Sequence, residues 1–288
     1  MTSRMGTATN TISEKNTNGG SPRMNGSAWL NSVTDGQIVN STMTRPAAKN
    51  SRFSKGHGTT ALMASDTVEQ CSFEARLECH YLLHAPAKLE ERSLLVLTLH
   101  GYGSNPEVML RLARAMLGPG PVIASLQAPN EFYPSSAPDS QVGYSWATKA
   151  HIQSAVRLHH EMLLHVLDET ERQFRIDAGR RILIGFSQPV GPNYRFAATH
   201  PSAIRGVIGV CGGIPKDWET GAYGKVSAAL LHIARREDEI FPPAVTEKYP
   251  DRLRVHADDV EFHMLHGGHR FPSKAGPLVE RWLNRVIP

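Results

Sequence analysis

The sequence predicts an α/β protein, with a mostly parallel central sheet, helices on both faces and a disordered N-terminal extension. Three observations predict this. From Cys71 onward, short apolar runs alternate with longer amphipathic ones, which is how parallel strands and their crossover helices are written. Most of the short runs are bounded by Gly, Pro or charge, as buried strands are. Residues 1–65 are instead rich in Ser, Thr, Asn and Gly, with apolar residues at neither helical nor strand spacing. Such a segment buries too little surface to offset the entropy of ordering it.

Taken in order, the strands are predicted at Phe73–His84, Leu94–Leu99, Val122–Gln127, Arg181–Phe186, Ile204–Cys211, Ala228–Ala234 and Val260–Leu265. The clearest helix spans Ile152–Phe174, where Ile152, Val156, Leu163, Val166, Leu167, Thr170 and Phe174 share one face. His159, His160 and His165 on it are placed at the surface. Further helices are predicted at Val108–Leu117, Pro189–Thr199, Ala244–Leu253 and Pro277–Ile287.

The chain of 288 residues is divided into an extension, 1–65, and one domain, 66–288. Its net charge of +4 belongs to the extension, which holds 7 Lys/Arg against 2 Asp/Glu, while the remainder holds 24 against 25. A nucleic-acid partner needs a basic stripe on the folded part, and none is visible. Cys71, Cys79 and Cys211 form no CxxC pair and read as free, buried thiols. No apolar run reaches the roughly 20 residues of a membrane span, and the N-terminus lacks the pattern of a secretory signal. A cytoplasmic enzyme fits best, and no oligomeric state is implied.

The chemistry concentrates where strands end. Arg181-Ile-Leu-Ile-Gly-Phe-Ser187-Gln-Pro-Val-Gly puts a serine between an apolar strand and a helix, where a nucleophile elbow belongs. The helix aims its unpaired N–H groups and positive dipole end at that serine, favouring the negative charge that develops in acyl transfer. The G-x-S-x-G pattern fails at its last glycine, replaced by Pro189. Proline is tolerated in a helix's first turn, and the N–H an oxyanion needs is that of Gln188. Gln188 is expected to cap the helix, with Pro189 as its first residue.

A second strand ends in His100-Gly101-Tyr102-Gly103, a glycine-rich turn that lets backbone amides approach a substrate oxygen. The N–H groups of Tyr102 and Gln188 are the expected oxyanion donors. Arg235-Arg236-Glu237-Asp238-Glu239 follows a later strand and offers three carboxylates. All three compete for the role of acid, and the choice of Asp238, with Glu237 and Glu239 as solvated neighbours, rests on the family pattern given below. His263, His266 and His269 follow, and His269, after two glycines, suits a base in a loop. Their spacing also admits a metal-dependent hydrolase, but no acidic residue completes a recognised ligand motif.

The ordered set LHGYG, GFSQ, an acid followed four residues later by proline, and GGH resembles the phospholipase/carboxylesterase family of the α/β-hydrolase fold, including acyl-protein thioesterases. The resemblance covers roughly residues 70–288. It implies Ser187, Asp238 and His269 as a catalytic triad and the backbones of Tyr102 and Gln188 as the oxyanion hole. It implies hydrolysis of small-molecule carboxylic esters, with thioesters as a further class, through an acyl-enzyme and with no metal or organic cofactor. It also puts Phe132, Tyr133, Tyr144 and Trp146 near the acyl pocket. The alternative is a non-catalytic hydrolase-fold binding protein, motivated by Pro189 and the long extension.

Overall fold

Nine short strands form in the computed structural model, which describes residues 68–287: β1 (Tyr81–His84), β2 (Leu95–Leu99), β3 (Val122–Leu126), β4 (Asn130–Phe132), β5 (Gly143–Ser145), β6 (Arg181–Phe186), β7 (Gly206–Val210), β8 (Ala229–Arg235) and β9 (Val260–Leu265). The expected extension, 1–65, lies outside the described residues. Seven strands make one sheet in the order β1-β3-β2-β6-β7-β8-β9. Only β1 runs antiparallel within it, against β3. The remaining two, β4 and β5, pair as a separate antiparallel hairpin. Every residue of β2, β3 and β7 is buried, as strands covered on both faces must be.

Among the described residues six α-helices accompany the strands: α1 (Pro106–Leu117), α2 (Ile152–Phe174), α3 (Val190–Thr199), α4 (Pro243–Thr246), α5 (Tyr249–Arg254) and α6 (Gly276–Val286). Alternation along the strands divides the core in two. Leu95, Leu97, Leu183, Val207 and Leu230 pack with Leu163 and Val166 of α2, Tyr194 and Phe196 of α3 and Leu253 of α5. Val96, Ile123, Ile182, Ile208 and Leu231 pack with Met109 of α1 and Val279 and Trp282 of α6 on the other face. Each fully buried Leu, Ile or Val side chain adds about 1.5–3 kcal/mol to this double layer. Helix α1 starts where Asn105 accepts the Val108 N–H at 2.9 Å and Pro106 supplies a preset φ.

Several expectations are corrected. The first strand is only Tyr81–His84, because its partner β3 ends at Leu126; residues 71–80 run on exposed, Phe73 at 90%. The predicted helix Ala244–Leu253 is two, since Pro250 cannot continue a helix but fits the first turn of a new one. Cys71 and Cys79 are exposed, and only Cys211 is buried. His159 is buried and His160 half-buried instead of facing solvent: the His159 Nε2 pairs with Asn193 Oδ1 of α3 at 3.1 Å, so α2 packs on the elbow helix through it. The hairpin β4–β5 was not anticipated.

The chain leaves β2 towards β3 on one side and later returns to β6 on the other. Strand order reverses there, and in open α/β sheets the crevice at the C-terminal ends of such strands is where ligands bind.

Candidate active site

Ser187 leaves β6 at φ 63°, left-handed backbone that a serine adopts only when its surroundings hold it. Its N–H bonds to the Val210 carbonyl at 2.8 Å, and its carbonyl accepts from Val190 N at 3.3 Å, closing the turn. Gly185 gives the space: a Cβ there would sit 2.5 Å from Asn193 Nδ2 and 3.5 Å from Pro189 Cγ. The helix begins one residue later than expected. Pro189 is its N-cap, at φ −77°, and the Pro189 carbonyl accepts from Asn193 N at 2.9 Å. Pro192 then falls in the first turn, where its missing N–H costs no intrahelical bond.

Three loops bring Ser187, Asp238 and His269 together. His269 Nε2 is 2.9 Å from Ser187 Oγ, and its Nδ1 is 2.9 and 3.1 Å from the two Asp238 oxygens. Asp238 is buried, and its Oδ1 also accepts from Ile240 N at 2.9 Å and Phe241 N at 2.8 Å. Burial pushes its pKa up, but the His269 bond and these two donors outweigh it and hold the carboxyl below its ordinary value. An ionised carboxylate only accepts, so Nδ1 carries the imidazole proton and Nε2 is free to accept from the serine hydroxyl. Phe186 and Phe241 rings flank the imidazole at 5.2 and 5.9 Å.

Glu237 and Glu239 are exposed, as expected, and also bond to the loop that carries His269. Glu239 Oε2 accepts from His269 N at 3.2 Å, while Glu237 accepts from Gly267 N and pairs with His266 Nδ1 at 3.3 Å. His263 pairs with Glu261 at 2.7 Å. Among the described residues, the one group of His, Cys and acidic side chains converging as metal ligands would is Cys211, Asp238 and His269, not the three histidines. Burial and the Asp238 carboxylate push the Cys211 thiol up to about 12.

The HGYG loop lies against the elbow. A Cβ at Gly101 would sit 2.9 Å from the Phe186 ring, so glycine permits the approach. His100 is buried and neutral: its Nε2 accepts from Ala128 N at 3.1 Å, its Nδ1 donates to the Gly101 carbonyl at 2.8 Å, and burial lowers it to about 4. The aromatic stretch frames the loop. Trp146 Nε1 donates to the His100 carbonyl at 2.8 Å, Gly103 N donates to the Tyr144 carbonyl at 2.9 Å, and Phe132 stacks on Tyr102 at 4.8 Å. Tyr133 stays 71% exposed.

One contribution went unread in the sequence. The Gln188 side chain accepts from Trp146 N at 2.9 Å and donates to Ser145 Oγ at 3.0 Å and the Ala147 carbonyl at 2.8 Å. It ties the hairpin to the elbow across more than forty positions, a link without local signal.

The fold is that of the α/β-hydrolases. Solved structures similar to the chain include a Bacillus cereus carboxylesterase, 16% identical over 72% of this chain and 94% of that one, with a TM-score of 0.58. Esterase PE8 is 21% identical, covering 73% of this chain and 100% of its own, with a TM-score of 0.59. Acyl-protein thioesterase 2 of Zea mays is 15% identical, covering 73% and 99%, with a TM-score of 0.56. No protein-family model and no curated protein matches the chain. No helix among the described residues is long and apolar enough to cross a membrane.

Proposed function

We propose that this chain is a serine hydrolase that cleaves carboxylic esters of small molecules through an acyl-enzyme. The observation that carries the reading is the unbroken relay from Ser187 Oγ through both His269 nitrogens to a buried, multiply bonded Asp238. Ser187 attacks the ester carbonyl as His269 Nε2 takes its proton. The Tyr102 and Gln188 N–H groups receive the oxyanion, each worth on the order of 3 kcal/mol in the transition state. His269 returns the proton to the leaving alcohol, and water, activated by the same imidazole, releases the acid. Asp238 fixes the tautomer and stabilises the imidazolium.

The similarity to carboxylesterases and an acyl-protein thioesterase supports the choice of esters, with thioesters as a second class. Three free thiols support a cytoplasmic location. Ser187→Ala is expected to abolish turnover of a short p-nitrophenyl ester and labelling by a fluorophosphonate. Activity retained in that variant overturns the assignment. A wild-type chain that folds but does not label favours a binding protein.

A further inference from the structure

A buried thiol with no part in this acyl transfer stands beside the catalytic acid. Cys211 follows β7 in left-handed backbone, at φ 47°, with its N–H bonded to the Ile233 carbonyl at 2.9 Å and its Sγ 3.7 Å from the Arg270 carbonyl. Its Sγ, an Asp238 oxygen and a His269 ring nitrogen all lie within 4.8 Å of one another. We propose that Cys211, Asp238 and His269 form a site for a thiophilic divalent cation such as zinc, and that occupation switches the hydrolase off. The regulatory part rests on the serine-hydrolase reading; the site itself does not.

The donor set is the borderline-soft mixture of sulfur, nitrogen and oxygen that zinc takes tetrahedrally. Bonds of about 2.3 Å to sulfur and about 2.0–2.2 Å to nitrogen and oxygen put tetrahedral ligand atoms about 3.3–3.6 Å apart. Asp238 and His269 need to part slightly, from 2.9 Å, while Cys211 closes in. Asp238 Oδ1 is held by two backbone N–H groups, which leaves Oδ2 for the ion. The Arg270 carbonyl already accepts from Arg235 Nη1 at 3.3 Å, so a water completes the tetrahedron. A doubly charged ion, one thiolate and one carboxylate sum to no net charge among themselves, with the Arg235 guanidinium as the nearby cation.

The proton balance explains the inhibition. The thiol proton leaves to solvent as the metal–sulfur bond forms. With Nδ1 bound to the ion, the ring N–H of His269 lies on Nε2. Nε2 then presents an N–H to Ser187 and can no longer take the serine's proton. Chelation reverses each step.

The test uses the full chain with Cys71→Ser and Cys79→Ser, which leaves Cys211 as its only thiol. Cobalt(II) titration is expected to raise a near-ultraviolet thiolate-to-cobalt band that saturates at one ion per chain, is displaced by zinc, and is lost when Cys211→Ser is added. Zinc is expected to slow fluorophosphonate labelling of Ser187, and a chelator to restore it. Cys211→Ser should raise the zinc concentration for half-inhibition beyond the roughly 10–100-fold that outer-shell partners are worth. Absence of the band while Cys211 is present overturns the proposal, as does equal zinc sensitivity with Cys211→Ser. A band without metal-free labelling upholds the site and removes the hydrolase reading, whereas labelling without a band removes only the site.

Discussion

Ser187 keeps its φ of 63° because neighbours on both sides bind its backbone, so its hydroxyl meets His269 without further rearrangement. In the proposed mechanism Asp238 acts through charge and orientation. Asp238→Asn is expected to leave the fold intact and lower kcat by about 10⁴-fold, because an amide donor at that position favours the wrong imidazole tautomer. Steady-state hydrolysis of a p-nitrophenyl ester measures it, and a loss below tenfold would contradict the role. The positions of Ser187, Asp238 and His269 were legible because each follows a strand within a few residues. The bonds of Glu237 and Glu239 to the His269 loop were not: both side chains are solvated, and their partners come from a loop about thirty residues on. Cys211 gave no signal either, since a lone cysteine carries no pattern and its neighbours come from two other loops.

Among elements, those defined by a long run or a sustained period were readable and the shortest were not. Strands β6 and β9 and helix α2 have the bounds their apolar patterns predict. The three-residue strands β4 and β5 are too short to show alternation, and their place depends on Gln188 and the HGYG loop. His159 was misplaced because helical spacing weighs apolar residues, whereas this one is buried through a polar partner on α3. The junction of β6 and α3 is correspondingly tight. Gly185→Ala forces its Cβ against buried Asn193 and is expected to destabilise the protein by about 1–3 kcal/mol. Adding Asn193→Ala should recover part of that loss, a non-additivity read from denaturant midpoints. Strictly additive losses would mean that the two do not meet.

At the scale of the whole molecule, the polar groups inside the double layer set its response to acid. Burial lowers His159 and His232 from an ordinary 6.5 to about 3, and His100 and His160 to about 4. Above 6.5 these groups are neutral whether the chain is folded or not. Below it the unfolded chain takes up protons that the fold refuses, so stability falls as pH drops towards the lowered values. His159 and His232 each contribute about 1.4 kcal/mol per pH unit in that window. Asp238, held below its ordinary 3.8, stays ionised through most of it. The expected outcome is a Tm that declines steadily from pH 6.5 to pH 4 and declines less in His232→Gln, followed by circular dichroism. A flat Tm across that range would contradict it. One feature of the sheet adds a second vulnerability. The loop that carries His269 hangs from β9, which among the described residues is an edge strand with a single neighbour and only half-buried residues, whereas β6 and β7, which frame Ser187, have neighbours on both sides. Local unfolding of that edge costs less than unfolding the domain. Under the proposed mechanism, warming is expected to release the His269 loop while the sheet around Ser187 still stands, so that ester hydrolysis fades reversibly below the melting temperature, as activity and circular dichroism followed on one temperature ramp would show.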